Sequence, residues 1–184
     1  MLLKIVVIIT YSITLQVKCE GEYFWRPWTP GSPPVDAITG RDYRGISYIV
    51  EAYAPNFGIF IGQAFVHQHE VNVSAFHVNA SLISQKSHAL KVLCSDNKDK
   101  LVWYPTSSPA LKNELQMALV NPVVGGRNTA NDQLYIGKVV DTTGRTLHFG
   151  SICSSLLQLH YNYNNINKIS SYYEILTLID KCNK

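Results

Sequence analysis

One pattern is written twice in this chain, and that duplication limits the folds open to it. The clearer copy is Pro122 to Ile152, PVVGGRNTANDQLYIGKVVDTTGRTLHFGSI. The earlier copy is Val35 to Ala64, VDAITGRDYRGISYIVEAYAPNFGIFIGQA. Each opens with apolar residues and a glycine turn, Gly40-Arg41-Asp42 and Gly126-Arg127-Asn128. Each runs into a strand around a tyrosine, Tyr48 and Tyr135, and turns again at Gly58 or Gly144. Each ends on an aromatic residue and a glycine, Phe60-Ile61-Gly62 and His148-Phe149-Gly150. A repeated unit of this size sets the architecture before any single residue is considered.

The match extends outward. Trp25-Arg26-Pro27 precedes the first copy and Trp103-Tyr104-Pro105 the second. An alternating strand follows each, Ala89 to Leu93 and Tyr173 to Leu176. Repeat one thus spans about residues 25–100 and repeat two about 101–180. Short alternating strands separated by turn signals predict an all-β domain with sandwich-like packing.

Met1 to Cys19 reads as a secretory signal peptide, with Lys4 as the charged start and Ile5 to Leu15 as the apolar core. Thr10, Ser12 and Thr14 interrupt it, and it is short for a membrane span. With cleavage before Glu20, residues 20–184 form one secreted, extracellular domain with no membrane span. Loss of Lys4 and Lys18 leaves 14 basic against 13 acidic residues, a net charge of +1 in place of +3. No basic stripe marks a nucleic-acid partner.

Of the four cysteines, Cys94, Cys153 and Cys182 survive that cleavage. In an oxidising compartment two could pair and leave one over; three buried thiols are the alternative. No C-x-x-C occurs, so the spacing suits neither zinc nor redox chemistry.

Glu20 to Pro34 combines Tyr23, Phe24, Trp25 and Trp28 with four prolines. Proline bars a central strand, so the segment reads as an extended arm packing its rings on the core, or as an aromatic platform for sugar. Gly45 to Phe65 reads as a hairpin whose first strand is half-buried, and Leu134 to Phe149 repeats it. His67 and His69 share a strand face and would need a third ligand to hold a metal; nothing at ligand spacing supplies one. Asn72-Val73-Ser74 and Asn79-Ala80-Ser81 are N-glycosylation sequons. Ala110 to Val120 alone has helical character, NYNNIN at Asn162 to Asn167 reads as loop, and Ser170 to Ile179 reads as the closing strand.

The sequence contains no G-x-S-x-G, H-E-x-x-H, P-loop or G-x-G-x-x-G. It calls for no cofactor, and no catalytic constellation points to an enzyme.

The ordered set Val124-Gly125-Gly126, an acidic or amide residue, Leu134-Tyr135-Ile136-Gly137 and a corner glycine resembles the DM-nine repeat family of invertebrate proteins. The resemblance covers about Trp25 to Ile179 and is closer in the second copy. It implies two intertwined repeats about a pseudo-two-fold axis. It also implies innate-immune or salivary carbohydrate recognition, of mannose type, with dimers supplying avidity. In the lectin members, an acidic residue after the glycine turn and a lysine after the corner glycine bind sugar hydroxyls. The acidic position is Asp42 in the first copy and Asn128 in the second. The lysine position is Gln63 in the first and Ser151 in the second. Neither copy keeps the acid–lysine pair, which points to a different glycan or to a scaffold binding a protein or lipid partner. Arg41 and Arg127 stand beside the turns, as replacement donors or as solvated turn residues. Asp42 can equally cap its own turn.

Overall fold

The structure is a computed structural model and describes residues 23–67, 71–74, 81–84, 90–141 and 143–179. The signal-peptide segment, His69, Asn79 and Cys182 lie outside the described residues. Repeat one contributes β1 (Phe24–Pro27), β2 (Thr39–Asp42), β3 (Gly45–Ala54), β4 (Gly58–Phe65), β5 (Val71–Ser74), β6 (Ser81–Ser84) and β7 (Lys91–Cys94). Repeat two contributes β8 (Leu101–Ser107), α1 (Ser108–Gln116), β9 (Val124–Asn128), β10 (Gln133–Val140), β11 (Leu147–Cys153), β12 (Leu159–Tyr163), β13 (Ile166–Ser170) and β14 (Tyr172–Leu178). The fold is all-β, as the alternation predicts, with α1 at the helical stretch.

The two halves share one pairing scheme. In repeat one, β1 pairs β7, β7 pairs β3, and β3 also pairs β2 and β4, with β5 and β6 beyond β4. In repeat two, β8 pairs β14, β14 pairs β10, and β10 also pairs β9 and β11, with β12 and β13 beyond β11. Register fixes the residue equivalences. Val50 sits opposite Gly62 and Val92, as Gly137 sits opposite Gly150 and Ile175. One step along, Glu51 sits opposite Ile61 and Lys91, as Lys138 sits opposite Phe149 and Glu174. Trp25 and Trp103 are equivalent, being opposite Leu93 and Leu176.

The core follows the same symmetry. One cluster draws Ile38, Ile49, Ile61 and Leu93 from repeat one and their equivalents Val123, Ile136, Phe149 and Leu176 from repeat two. It joins the halves. A second cluster holds Val50, Ala52 and Val92, and a third Ile152, Leu159 and Ile175. Alternation along β3 therefore sends Ile49 to the junction and Val50 to the cluster built mostly from repeat one. The expectation of a half-buried β3 is corrected: Ser47 to Ala52 are all buried, because each face of the strand meets a different cluster.

The halves also exchange pairing. β4 pairs β9 at Gly58↔Asn128 and Ile59↔Arg127. Gly58 has φ +121, and a Cβ there would run into the Arg127 and Asn128 backbone, so glycine is required where the strands cross.

Three local readings are refined. Phe24 to Pro27 does form a strand, on the far side of β7, where Pro27 is tolerated because β1 pairs on one side only. Trp28 packs into the core against Tyr48 at 5.3 Å between centroids. The NYNNIN segment is a hairpin and no loop: Asn164 and Asn165 take φ 51 and 62 as the two residues linking β12 to β13.

Candidate functional site

Where β4 crosses onto β9, the backbone holds the junction at Ile59. The equivalent residue in repeat two is Leu147, and there side chains from repeat one hold the backbone. Asp42 Oδ2 accepts the Leu147 N–H at 2.9 Å. Arg44 Nη2 and Gln63 Nε2 donate to the Leu147 carbonyl at 2.5 and 3.1 Å. Gln63 Nε2 also donates to Ser47 Oγ at 2.7 Å. Asp42 is further bound by Arg44, through its backbone N–H at 2.8 Å, Nε at 3.0 Å and Nη2 at 2.6 Å. Its side chain is only 4% exposed. Burial alone would raise its pKa, but the bonds from Arg44 and the Leu147 N–H outweigh that and hold it below the usual carboxylate value.

The family positions thus fall out as follows. Asp42 and Gln63 converge, on the Leu147 peptide. Asn128 and Ser151 are both buried and do not converge. Asn128 Oδ1 accepts the Asp132 N–H at 2.8 Å and its Nδ2 donates to Asp132 Oδ2 at 3.0 Å, closing the 128–132 turn. Ser151 Oγ accepts the Ile61 N–H at 3.0 Å, another bond across the repeats. Asn72 lies on β5, opposite Ile83. Asn79 lies outside the described residues.

Beside the Asp42–Leu147 contact the surface opens into a cleft of about 1380 Å³. One wall is Thr39 to Tyr43 of repeat one. The other is the end of β10, Asp141, Thr143 to Thr146, and Leu147 and Phe149 of β11, with Trp103 and Tyr163. Trp103 stacks on Phe149 at 5.7 Å between centroids, 15° from parallel. Lys138 Nζ lies 4.7 Å from the Trp103 ring centre and 3.0 Å from Glu174 Oε2. This is a cation–π contact held by an ion pair. Tyr43 is 75% exposed at the rim.

The carboxylates around this cleft take part in internal bonds. Asp141 Oδ1 accepts from Thr143 Oγ1 at 2.8 Å, the Arg145 N–H at 3.0 Å and the Thr146 N–H at 3.1 Å. Burial works upward, but these bonds prevail and its pKa falls to about 2. Behind the wall, His148 packs against Tyr161 and Tyr163, with ring centroids at 5.1 and 5.2 Å. Its Nε2 is buried and has no hydrogen-bond partner among the described residues. Burial first and the Arg44 charge second hold its pKa below the ordinary imidazole value.

Among the described cysteines, Cys94 Sγ reaches the Val92 carbonyl at 3.7 Å and Cys153 Sγ lies 3.1 Å from Ser155 Oγ and 3.5 Å from Asp132 Oδ2. Both are buried thiols. Burial and then the Asp36 charge push the Cys94 thiol up to about 11, opposite to what an activated nucleophile needs. Among the described residues no group of three metal-ligating side chains gathers, and no helix is long and apolar enough to cross a membrane.

Sequence reasoning singled out Trp103 only as the residue that opens repeat two, and it passed over Lys138, Asp141 and Arg145. Their convergence depends on which strand meets which across the junction. The chain matches no protein-family model and no curated protein, so the DM-nine likeness rests on the quoted residues alone.

Proposed function

We propose that the protein is a secreted, non-enzymatic carbohydrate-binding recognition protein, and that its ligand seat is the cleft between β2 and the β10–β11 hairpin. One observation carries this reading: an open groove at the repeat junction combines exposed or half-exposed rings, Tyr43, Trp103 and Tyr163, with charged side chains at its walls. A large concavity that pairs apolar surface with a few convergent polar groups is the usual form of a small-ligand site. Rings supply area to the apolar face of a sugar, and charged groups supply hydrogen bonds to its hydroxyls. Asp42 contributes by holding the wall at Leu147. Single sites of this kind bind weakly, and a homodimer would add avidity.

The internal roles of Asn128 and Ser151 favour a second reading, an extracellular scaffold that binds a protein or lipid partner and has lost its sugar site. A glycan-array screen of the mature protein, with Tyr43→Ala alongside, separates the two. Tyr43 is exposed, so its loss leaves the core intact. Binding to a defined sugar class, weakened at least about tenfold in Tyr43→Ala, is the expected result. No binding to any glycan under multivalent display would exclude the carbohydrate reading.

A further inference from the structure

The cleft's charge is lopsided. The chain has five arginines. Arg26 pairs with Asp36 at 2.8 Å, Arg44 with Asp42 at 2.6 Å, and Arg127 donates to Asn131 Oδ1 at 2.6 Å. The remaining two, Arg41 and Arg145, have no side-chain partner among the described residues, and both line the cleft. The comparison of Arg41 with Arg127 is pointed, because they occupy equivalent positions in the two repeats. Repeat two ties its arginine into a turn; repeat one leaves its arginine facing the groove.

The cleft's acceptors show the reverse. Asp42 is bound on both oxygens by Arg44 and the Leu147 N–H, while Asp141 accepts from Thr143 and two backbone N–H groups through Oδ1 alone. Lys138 already has Glu174. A neutral sugar's hydroxyls need acceptors as well as donors, and of the two carboxylates only Asp141 Oδ2 is left without a bond among the described residues. Against that one oxygen stand two guanidinium forks, which match carboxylate and sulfate oxygens in planar, two-pronged geometry.

We infer that the cleft takes an anionic saccharide, a carboxylated or sulfated sugar, with its acid group held by Arg41 and Arg145 and its ring against Trp103. This rests on the carbohydrate reading of the same cleft and narrows it to a chemical class. Neither guanidinium has to abandon an internal partner to engage such a ligand, so the site is preorganised in charge.

Calorimetric titrations of the mature protein test this with four probes: a uronic-acid oligosaccharide, a sulfated one, a neutral mannose oligosaccharide and a polyphosphate of similar length. One or both acidic sugars should bind at least about tenfold tighter than the neutral one, and more weakly as salt rises. Arg41→Ala and Arg145→Ala should each weaken that binding about tenfold, with Arg41→Lys recovering part of it. Unchanged thermal melting of these exposed-site variants separates lost binding from lost folding. Arg127→Ala should leave binding unchanged. Equal or tighter binding of the neutral sugar would overturn the anionic assignment while sparing the carbohydrate reading. Equal binding of polyphosphate would reduce the cleft to a plain anion site and overturn it. Binding of no saccharide would overturn both.

Discussion

Lys138 occupies in repeat two the position that Glu51 occupies in repeat one, and each is neutralised from the equivalent neighbouring strand. Glu51 meets Lys91 at 2.9 Å and Lys138 meets Glu174 at 3.0 Å. The ion pair is thus present in both repeats with its polarity reversed. The reversal shapes the cleft, since it places the cation of the pair over Trp103.

Exchange of the repeat-one pair, Glu51→Lys with Lys91→Glu, should therefore be tolerated far better than either single change. Glu51 is largely buried while Lys91 is half-exposed, so the pair itself contributes about 1 kcal/mol or less. Either single substitution places like charges together and should cost about 2 kcal/mol or more. Urea unfolding of the four-member cycle measures this. Additive effects of the two singles would show that the pair is not coupled.

Asp42 is a joint in the fold, and its removal should read out as instability. Asp42→Ala strands the Leu147 N–H and takes the carboxylate from Arg44, and should cost about 2 kcal/mol. Because the folded pKa lies below the ordinary value of 3.8, the stability from Asp42 is complete above that value. It is lost as pH falls through the depressed folded pKa. Asp42→Asn should lack that acid-linked share. Chemical unfolding from pH 2 to 6 compares the two chains; parallel acid profiles would contradict the assignment.

His148 predicts a second pH dependence. Its folded pKa lies below the ordinary 6.5, so the unfolded chain binds more protons in that window. Stability from this group is then complete above about 6.5 and falls as pH drops toward the folded value. The equivalent residue in repeat one is Phe60. His148→Phe should keep the ring contacts, change stability by no more than about 1 kcal/mol at pH 8, and flatten the slope between pH 5 and 7. An unaltered slope would place the titrating group elsewhere.

The strand exchange makes its own prediction at two glycines. A Cβ at Gly58 meets the Arg127 and Asn128 backbone, whereas at Gly144, with φ +69, none of the described residues lies within 4 Å. Gly58→Ala should cost about 3 kcal/mol or more, and Gly144→Ala only about 1 kcal/mol from its backbone conformation. Equal costs in thermal melts would argue against a close crossing of β4 and β9.

The hairpins and the duplication were legible because their signals are local. Asn56, Gly58 and Gly144 take positive φ at the turns where the sequence puts them. The β12–β13 hairpin was missed because its amides carry the same composition as a loop, and only the pairing of Tyr163 with Ile166 tells them apart. The double burial of β3 was hidden because its polar-looking face, Ser47 and Glu51, is covered by tertiary packing. Asp42 posed the sharpest ambiguity, as ligand or turn cap. It bonds both its near neighbour Arg44 and Leu147, 105 residues away, and no spacing rule reports the second. The freedom of Arg41 and Arg145 is equally illegible, since it consists of partners that the described residues do not provide.

The most direct test is nuclear magnetic resonance titration of the isotope-labelled mature protein with an acidic oligosaccharide, following the tryptophan indole and arginine Nε–H signals. Carbohydrate binding at the junction cleft predicts saturable shifts at the Trp103 indole and at Arg41 and Arg145, with Arg26 and Arg127 unmoved. No shifts at saturating sugar, or shifts confined to another surface such as the β13 edge, would contradict it.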